Sequence, residues 1–171
     1  EPKQLIFFKD STVTIAHPAM SPGGEYLYFV SDHFSGYGGK DIWRVSKKTE
    51  EEWNEPENLG PSINTSGDEM FPTFRYDGTL FFSSNGHKGL GGLDIFEAHA
   101  MQITEDSTVW SVRNLMQPIN SSGDDFSLSF VGRTNNGYFS SNRKDPKGRD
   151  KIYYFGEPVV EFALKGEVTD Y

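Results

Sequence analysis

Short hydrophobic segments separated by turn residues run along the whole chain. Segment 80–82 follows the pair Asp77-Gly78, which accepts the backbone conformation of a hairpin turn. Strands are predicted on both sides of this turn, and a third at 94–98. A fourth, outer strand is expected around 109–115 in this part of the chain and around 53–59 before it. No segment has a clear 3.6-residue period, so the pattern predicts an all-β protein.

The same order of segments occurs three times. A turn with its flanking strands, a glycine-rich loop and an Asn-Leu block recur in register. The turn blocks are 17–32, 71–85 and, more loosely, 126–142. The loop blocks are 36–43 and 89–96, and the Asn-Leu blocks are 58–69 and 114–125. Ser84 follows Ser31 by 53 residues and precedes Ser141 by 57. The chain therefore consists of repeats of about 55 residues.

Four antiparallel strands in a unit of this length are typical of one blade of a β-propeller. The sequence predicts a β-propeller fragment of about three four-stranded blades, with repeats at approximately 12–66, 67–122 and 123–156. Propellers have about four to eight blades, so the fragment is expected to be part of a larger ring with its missing blades upstream, or to be completed by another copy or fragment. Segment 5–8 is a candidate for the last strand of a preceding blade. A β-sandwich would not repeat three blocks in register, and a β-solenoid would need shorter repeats.

Composition limits the partners of such a fold. The net charge of −9 opposes binding to nucleic acid, which needs clustered Lys and Arg, and adsorption to anionic lipid. No run approaches the roughly 18 apolar residues of a membrane-spanning helix, so direct membrane insertion is not expected. The sequence contains no cysteine, which excludes disulfides and thiol chemistry.

Several blocks resemble the TolB-type propeller repeat. The resemblance rests on Phe-Pro-Thr-Phe at 71–74, on the block 77–85 and on Gly-Gly-Leu-Asp-Ile-Phe at 91–96. The form with Asn-Leu-Gly before Asn-Thr-Ser-Gly-Asp-Glu at 64–69 is similar to the propeller of multidomain OmpA-family proteins of Bacteroidetes. This resemblance implies a non-catalytic protein-interaction scaffold module in a periplasmic, outer-membrane-associated protein of the type IX secretion machinery. The implied partners are other proteins of the cell envelope.

The end of the chain extends the resemblance. Residues 162–171 contain Gly-Glu-Val-Thr-Asp, which resembles the opening of a carboxypeptidase-regulatory-like β domain and leaves 1–161 to the propeller. In the family a separate OmpA-type domain binds peptidoglycan. Contact with peptidoglycan is therefore expected only through a domain outside this chain.

Six polar residues are expected where the outer strand of one blade leads into the inner strand of the next. They are Asn64, Asp68, Glu69, Asn120, Asp124 and Asp125. This crossing lies near the rim of the central channel, where clustered carboxylates would attract a cationic peptide or a metal ion. In the other interpretation, the same side chains accept hydrogen bonds from the neighbouring blade. Joining of blades is the more common role, and partner binding at the rim is the functional hypothesis.

Asp41 and Asp94 follow the two glycine-rich loops and are weak candidates for calcium ligands. Their surroundings lack the alternating acids of a calcium loop, and the third repeat has Asp150-Lys151-Ile152 instead. A carboxylate that accepts N–H groups of its own loop is the favoured interpretation. No cofactor is predicted.

No catalytic centre is predicted. The Ser-Ser-Asn steps at 83–85 and 140–142 lack the Gly-x-Ser-x-Gly motif of a nucleophile, and the four histidines occupy non-equivalent repeat positions. The protein is accordingly not expected to be an enzyme. Two alternatives remain open: a propeller that gates a peptidase, and a binder of carbohydrate or another small ligand in the central channel.

Aromatic residues recur at fixed positions of the repeats and are predicted to pack between blades. They are Phe29, Phe82 and Phe139 in one set and Trp43, Phe96 and Tyr153 in the other. In contrast, the loop histidines His33 and His87 and the basic segment 143–149 are expected to be solvated.

Overall fold

The computed structural model describes residues 1–103 and 108–156. Its strands are β1 (Ile15–Met20), β2 (Tyr26–Ser31), β3 (Asp41–Ser46), β4 (Glu57–Asn58), β5 (Glu69–Phe74), β6 (Leu80–Ser84), β7 (Asp94–Ile103), β8 (Thr108–Asn114), β9 (Asp125–Phe130), β10 (Gly137–Ser141) and β11 (Lys151–Phe155). No helix occurs within these described ranges, which confirms the all-β prediction. Accordingly, none of the described residues provides a helix that is long and apolar enough to cross a membrane.

The strands form three antiparallel sheets in chain order. The first sheet has the order β1-β2-β3-β4, the second β5-β6-β7-β8, and the third β9-β10-β11. The predicted outer strand at 109–115 corresponds to β8, whereas β4 is reduced to two residues preceded by an isolated bridge between Lys47 and Trp53. The third sheet has three strands among the described residues, where four were predicted for each blade, and the predicted domain start at 162–171 lies outside the described residues.

The first strand of each sheet carries a bulge at the same place. The register of β1 with β2 shifts between Ala16 and Ala19, and equivalent shifts occur in β5 and β9. The residue at each shift adopts a left-handed backbone: His17 at φ 50°, Phe71 at 55° and Ser127 at 55°. Such a conformation is rare for a residue other than glycine. Its threefold recurrence shows that the three sheets are built on one pattern.

The sheets pack face to face in series because alternate residues of each strand point to opposite sides. We call the side of a sheet that is turned towards the next sheet its forward face, and the other side its backward face. Tyr28, Val30 and Ile42 on the forward face of the first sheet pack against Phe82 and Phe96 on the backward face of the second. The second and third sheets share an equivalent core, which contains Phe81, Ile95, Leu128 and Phe139, with Tyr153 packed against it. Of the repeated aromatic residues, Phe82, Phe96, Phe139 and Tyr153 thus pack between sheets, as predicted.

A segment that precedes β1 covers the beginning of this series. On the backward face of the first sheet, Phe7 and Phe8 pack against Phe29 and Trp43. Segment 5–8 is therefore a covering segment and not the strand that the sequence predicted. Within the series, β5 contacts both β1 and β9, so the first strands of the three sheets are neighbours.

Candidate functional site

Two asparagines in equivalent positions join each connecting segment to the preceding sheet. The connecting segments are residues 59–68 and 115–124. Asn64 Oδ1 accepts the backbone N–H of Ile42 at 2.8 Å, and its Nδ2 donates to the carbonyl oxygen of Ile42 at 2.9 Å. Asn120 makes the same pair of bonds to Ile95, both at 2.8 Å. Each Nδ2 also donates to the asparagine six residues earlier at 2.8 Å, so both buried amides are fully engaged within the protein.

Two aspartates link the glycine-rich loop of one sheet to the beginning of the next. Asp68 Oδ1 accepts the backbone N–H of Lys40 at 2.9 Å, and Asp124 Oδ1 accepts that of Leu93 at 2.9 Å. Their own N–H groups donate to asparagine side chains that follow the second strand of the next sheet, at 2.8 and 2.7 Å. Each aspartate is thus bonded to two sheets at once.

Two carboxylates at the start of β5 and β9 are completely buried. Glu69 Oε2 accepts the N–H of Thr65 at 2.6 Å, while its Oε1 accepts the hydroxyls of Thr65 and of the serine that ends β6, at 2.7 and 2.6 Å. Asp125 Oδ2 accepts the N–H and hydroxyl of Ser121 at 2.6 and 2.8 Å. Its Oδ1 lies 2.5 Å from Nη2 of Arg143. Hydrogen bonds and an ion pair compensate the loss of water around both acids.

The structure therefore brings all six predicted site residues to the two junctions between sheets. The interpretation that these side chains bond to the neighbouring unit describes Asn64, Asn120, Asp68 and Asp124. Glu69 and Asp125 bond instead to the connecting segment and to their own sheet. Only Asp68 and Asp124 keep a half-buried carboxylate, whereas the other four side chains are buried. Partner binding by these residues stays a prediction, and Asp68 and Asp124 are its accessible members.

Asp41 and Asp94 face the loops that precede them. Asp41 accepts the N–H groups of Tyr37 and Gly38 at 2.5 and 3.2 Å, and Asp94 Oδ2 accepts those of Leu90 and Gly91 at 2.8 and 3.0 Å. This is the loop-stabilising geometry that the sequence favoured over calcium binding. No group of three or more His, Cys, Asp or Glu residues in the described ranges is placed to hold a metal ion.

Arg143 and His87 hold connecting segments, although both were expected to be solvated. His87 Nε2 lies 2.8 Å from the carbonyl oxygen of Ile63. Arg143 Nη1 donates to the carbonyl oxygen of Pro118 at 2.8 Å, and its guanidinium lies 4.8 Å from the ring centre of Phe139. His87 follows Ser84, the last residue of β6, by three positions, and Arg143 follows Ser141, the last residue of β10, by two. That spacing is the sequence signal that the expectation of solvated loops overlooked.

These bonds fix a common surface, which we call the loop surface. It consists of loops 33–40, 86–93 and 142–150 together with the two connecting segments. Within it, Phe34 is 85% exposed and Tyr37 is 51% exposed, and Leu90 at the position equivalent to Tyr37 is also exposed. An open cavity of about 400 Å³ adjoins Arg143, with Gln117, Pro118, Ser122 and Lys144 among its lining.

The sequence finds no match among protein-family models and none among curated proteins.

Proposed function

We propose that the chain forms three consecutive blades of a β-propeller. Each sheet is an antiparallel meander, successive sheets pack forward face to backward face, and their first strands are neighbours. A propeller arranges its blades in this way, with the first strand of every blade nearest the axis. The repeated bulge in β1, β5 and β9 supports this arrangement, because it gives the three strands the same local curvature.

The function that we propose is that of a non-catalytic protein-interaction scaffold. One observation carries it: two equivalent hydrogen-bonded junctions hold the loops of one side in place, and these loops expose Phe34 and Tyr37. Exposed aromatic residues on a rigid frame bind a partner at low cost in conformational entropy.

The cellular setting belongs to the same proposal and is supported by the TolB-type motifs at 71–85 and 91–96. The module serves a periplasmic, outer-membrane-associated protein of the type IX secretion machinery. Its partners are other envelope proteins, and peptidoglycan is bound through a domain outside this chain. The net charge of −9 favours partners with a basic contact surface.

Capture of envelope proteins by the immobilised chain tests the proposal. The test variant is Phe34→Ser combined with Tyr37→Ser, and the matched control is Tyr76→Ser, an exposed tyrosine in the β5–β6 turn. A solubilised envelope of a bacterium with type IX secretion machinery is the source. We expect the bound secretion components to fall about tenfold or more with the double variant and to be unchanged with the control. Equal capture by both variants would contradict the loop surface as the contact site.

Binding of a small ligand along the first strands is a second candidate. The His17 and Phe71 rings are stacked with their centres 4.2 Å apart, and the Phe71 and Phe126 rings follow at 5.3 Å. A row of rings along these strands favours a ligand with a flat apolar face, such as a sugar. A thermal-shift screen with glycans, peptides and Ca²⁺ separates the two candidates. A large shift with a glycan would favour this second function.

A further inference from the structure

The forward face of the third sheet is open in the described part of the chain, although the corresponding faces of the other two sheets are covered. Ile42, Ile95 and Ile152 occupy the same repeat position. The first two are 0% exposed, whereas Ile152 is 77% exposed. Tyr138 and Tyr154 are exposed beside it, and their rings contact each other edge to face at 5.6 Å. This set of three residues, the terminal face, is an apolar surface of the kind that marks an interaction site.

The two covered faces show which type of structure fits there. Ile42 and Ile95 are each covered by the backward face of a following sheet and by the connecting segment that leads to it. Asn64 and Asn120 of those segments also bind the backbone of Ile42 and Ile95. The terminal face thus continues an interface that the chain already forms twice.

The chain carries a matching surface at its other end. Phe29 and Trp43 on the backward face of the first sheet correspond to Phe82 and Phe96, which cover the first sheet's forward face. Among the described residues, no further sheet covers them: they pack against the segment with Phe7 and Phe8 and against Trp53. Two apolar residues next to these rings, Leu5 and Ile6, are themselves exposed.

We propose that a second copy of this chain covers the terminal face, with its first sheet and segment 5–8 packed against Tyr138, Ile152 and Tyr154. The contact is head to tail and continues the stacking direction of the three sheets. Two such contacts close a ring of two copies.

The molar mass of the full chain in solution tests the proposal. Light scattering after size-exclusion chromatography is expected to give twice the chain mass of 19.3 kDa. If the chain is a monomer at all accessible concentrations, a second copy does not cover the terminal face and the proposal is wrong. An open-ended series of larger species also overturns it, because head-to-tail contacts that do not close form filaments.

Two single variants distinguish a head-to-tail contact from a symmetric one. Ile152→Glu and Ile6→Glu each place a charge at one end of the chain, and each is expected to weaken the dimer at least about tenfold. An equimolar mixture of the two retains one undamaged contact and is expected to form a heterodimer. If Ile6→Glu dimerises as the unmodified chain does, the head-to-tail arrangement is wrong.

Tyr76→Glu is the matched control, since Tyr76 is exposed in the β5–β6 turn of the middle sheet and lies outside both proposed contact surfaces. It is expected to leave the dimer unchanged, and circular dichroism establishes that all three variants are folded. The dimer and the proposed scaffold function fail independently. A monomeric chain that still captures partners through the loop surface contradicts only the dimer.

Discussion

At the scale of single residues, Asn64 and Asn120 show how the sheets are joined. An asparagine amide offers both an acceptor and donors, so one side chain satisfies the N–H and the carbonyl group of a buried strand residue. Glutamine carries the same amide group on a longer side chain. The shorter asparagine also loses less conformational entropy when it is buried.

Replacement of Asn64 by Ala should destabilise the protein strongly. The buried N–H of Ile42 loses its acceptor, and we expect the free energy of unfolding to fall by about 2–3 kcal/mol. Urea unfolding followed by fluorescence measures this change. Asn54→Ala is the matched control, because Asn54 is exposed, and its loss should stay below about 0.5 kcal/mol. Equal unfolding midpoints for the two variants would contradict the role of Asn64.

Asp77 is expected to make stability depend on pH. The side-chain hydrogen bonds from Arg75, at 2.7 and 3.0 Å, hold the pKa of Asp77 well below its ordinary value of 3.8. The unfolded chain therefore binds the proton more readily than the folded one. Stability from this group is present above pH 3.8 and is lost as the pH falls towards the lowered pKa.

Melting temperatures at several pH values test this prediction. The difference between the unmodified protein and Asp77→Asn should be largest near about pH 6 and should shrink towards about pH 2. Arg75→Gln should reduce the pH dependence as well, since it removes the donor. A constant difference between protein and variant across this range would show that Asp77 does not cause the effect.

At the scale of elements, the glycine-rich loops lie against the connecting segments. The N–H of Gly39 donates to the carbonyl oxygen of Gly67 at 2.8 Å, and Gly92 donates to Gly123 at 3.2 Å. Such close approach of two backbones leaves no space for a side chain. A Cβ atom at Gly91 would overlap the carbonyl oxygen of Gly123 and lie 2.8 Å from that of Ser121.

Gly91→Ala should therefore separate the loop of the second sheet from the third. We expect a loss of about 3 kcal/mol in the free energy of unfolding, because backbone atoms have to move to admit the methyl group. Gly23→Ala is the control, since the nearest atom there is in a flexible side chain at 3.7 Å. The same urea titration measures both variants. A nearly neutral Gly91→Ala would show that this contact is not tight in solution.

At the scale of the whole molecule, the position of a sheet in the series of three decides how much a repeated residue contributes to stability. Ile42, Ile95 and Ile152 have the same identity and the same position in their strands. The first two lie between sheets, whereas the third lies on the terminal face. Hydrophobic stabilisation depends on the area removed from water and thus on the neighbour, not on the residue alone.

Three matched substitutions test this dependence. Ile42→Ala and Ile95→Ala should each lower the free energy of unfolding by about 3–4 kcal/mol, and Ile152→Ala by less than about 0.5 kcal/mol. The free energy of unfolding is measured at concentrations at which the chain is monomeric, so that a second copy does not bury Ile152. Equal losses at all three positions would mean that the terminal face is covered within a single chain.

Much of the fold was predictable because the responsible signals are local. Turn pairs such as Asp77-Gly78 and the alternation of apolar residues act within a few positions. They located most strands of each unit, and the recurrence of aromatic residues indicated that Phe82 and Phe139 pack between units. Segment 5–8 misled the prediction, because an apolar segment that covers a sheet has the same composition as a strand.

The sequence by itself determined the three repeats, their strands and their aromatic core, since these depend on neighbours along the chain. Only the tertiary structure decided which groups the polar residues of the junctions bond. The bond partners of Asn64 and Asp124 lie 22 and 31 positions away in the preceding sheet. Arg143 also bonds to a residue that is distant in the chain, because its partner Asp125 is 18 positions away at a junction. A carboxylate at a junction and one in solvent look alike in a sequence, and the packing of one sheet on another makes them different.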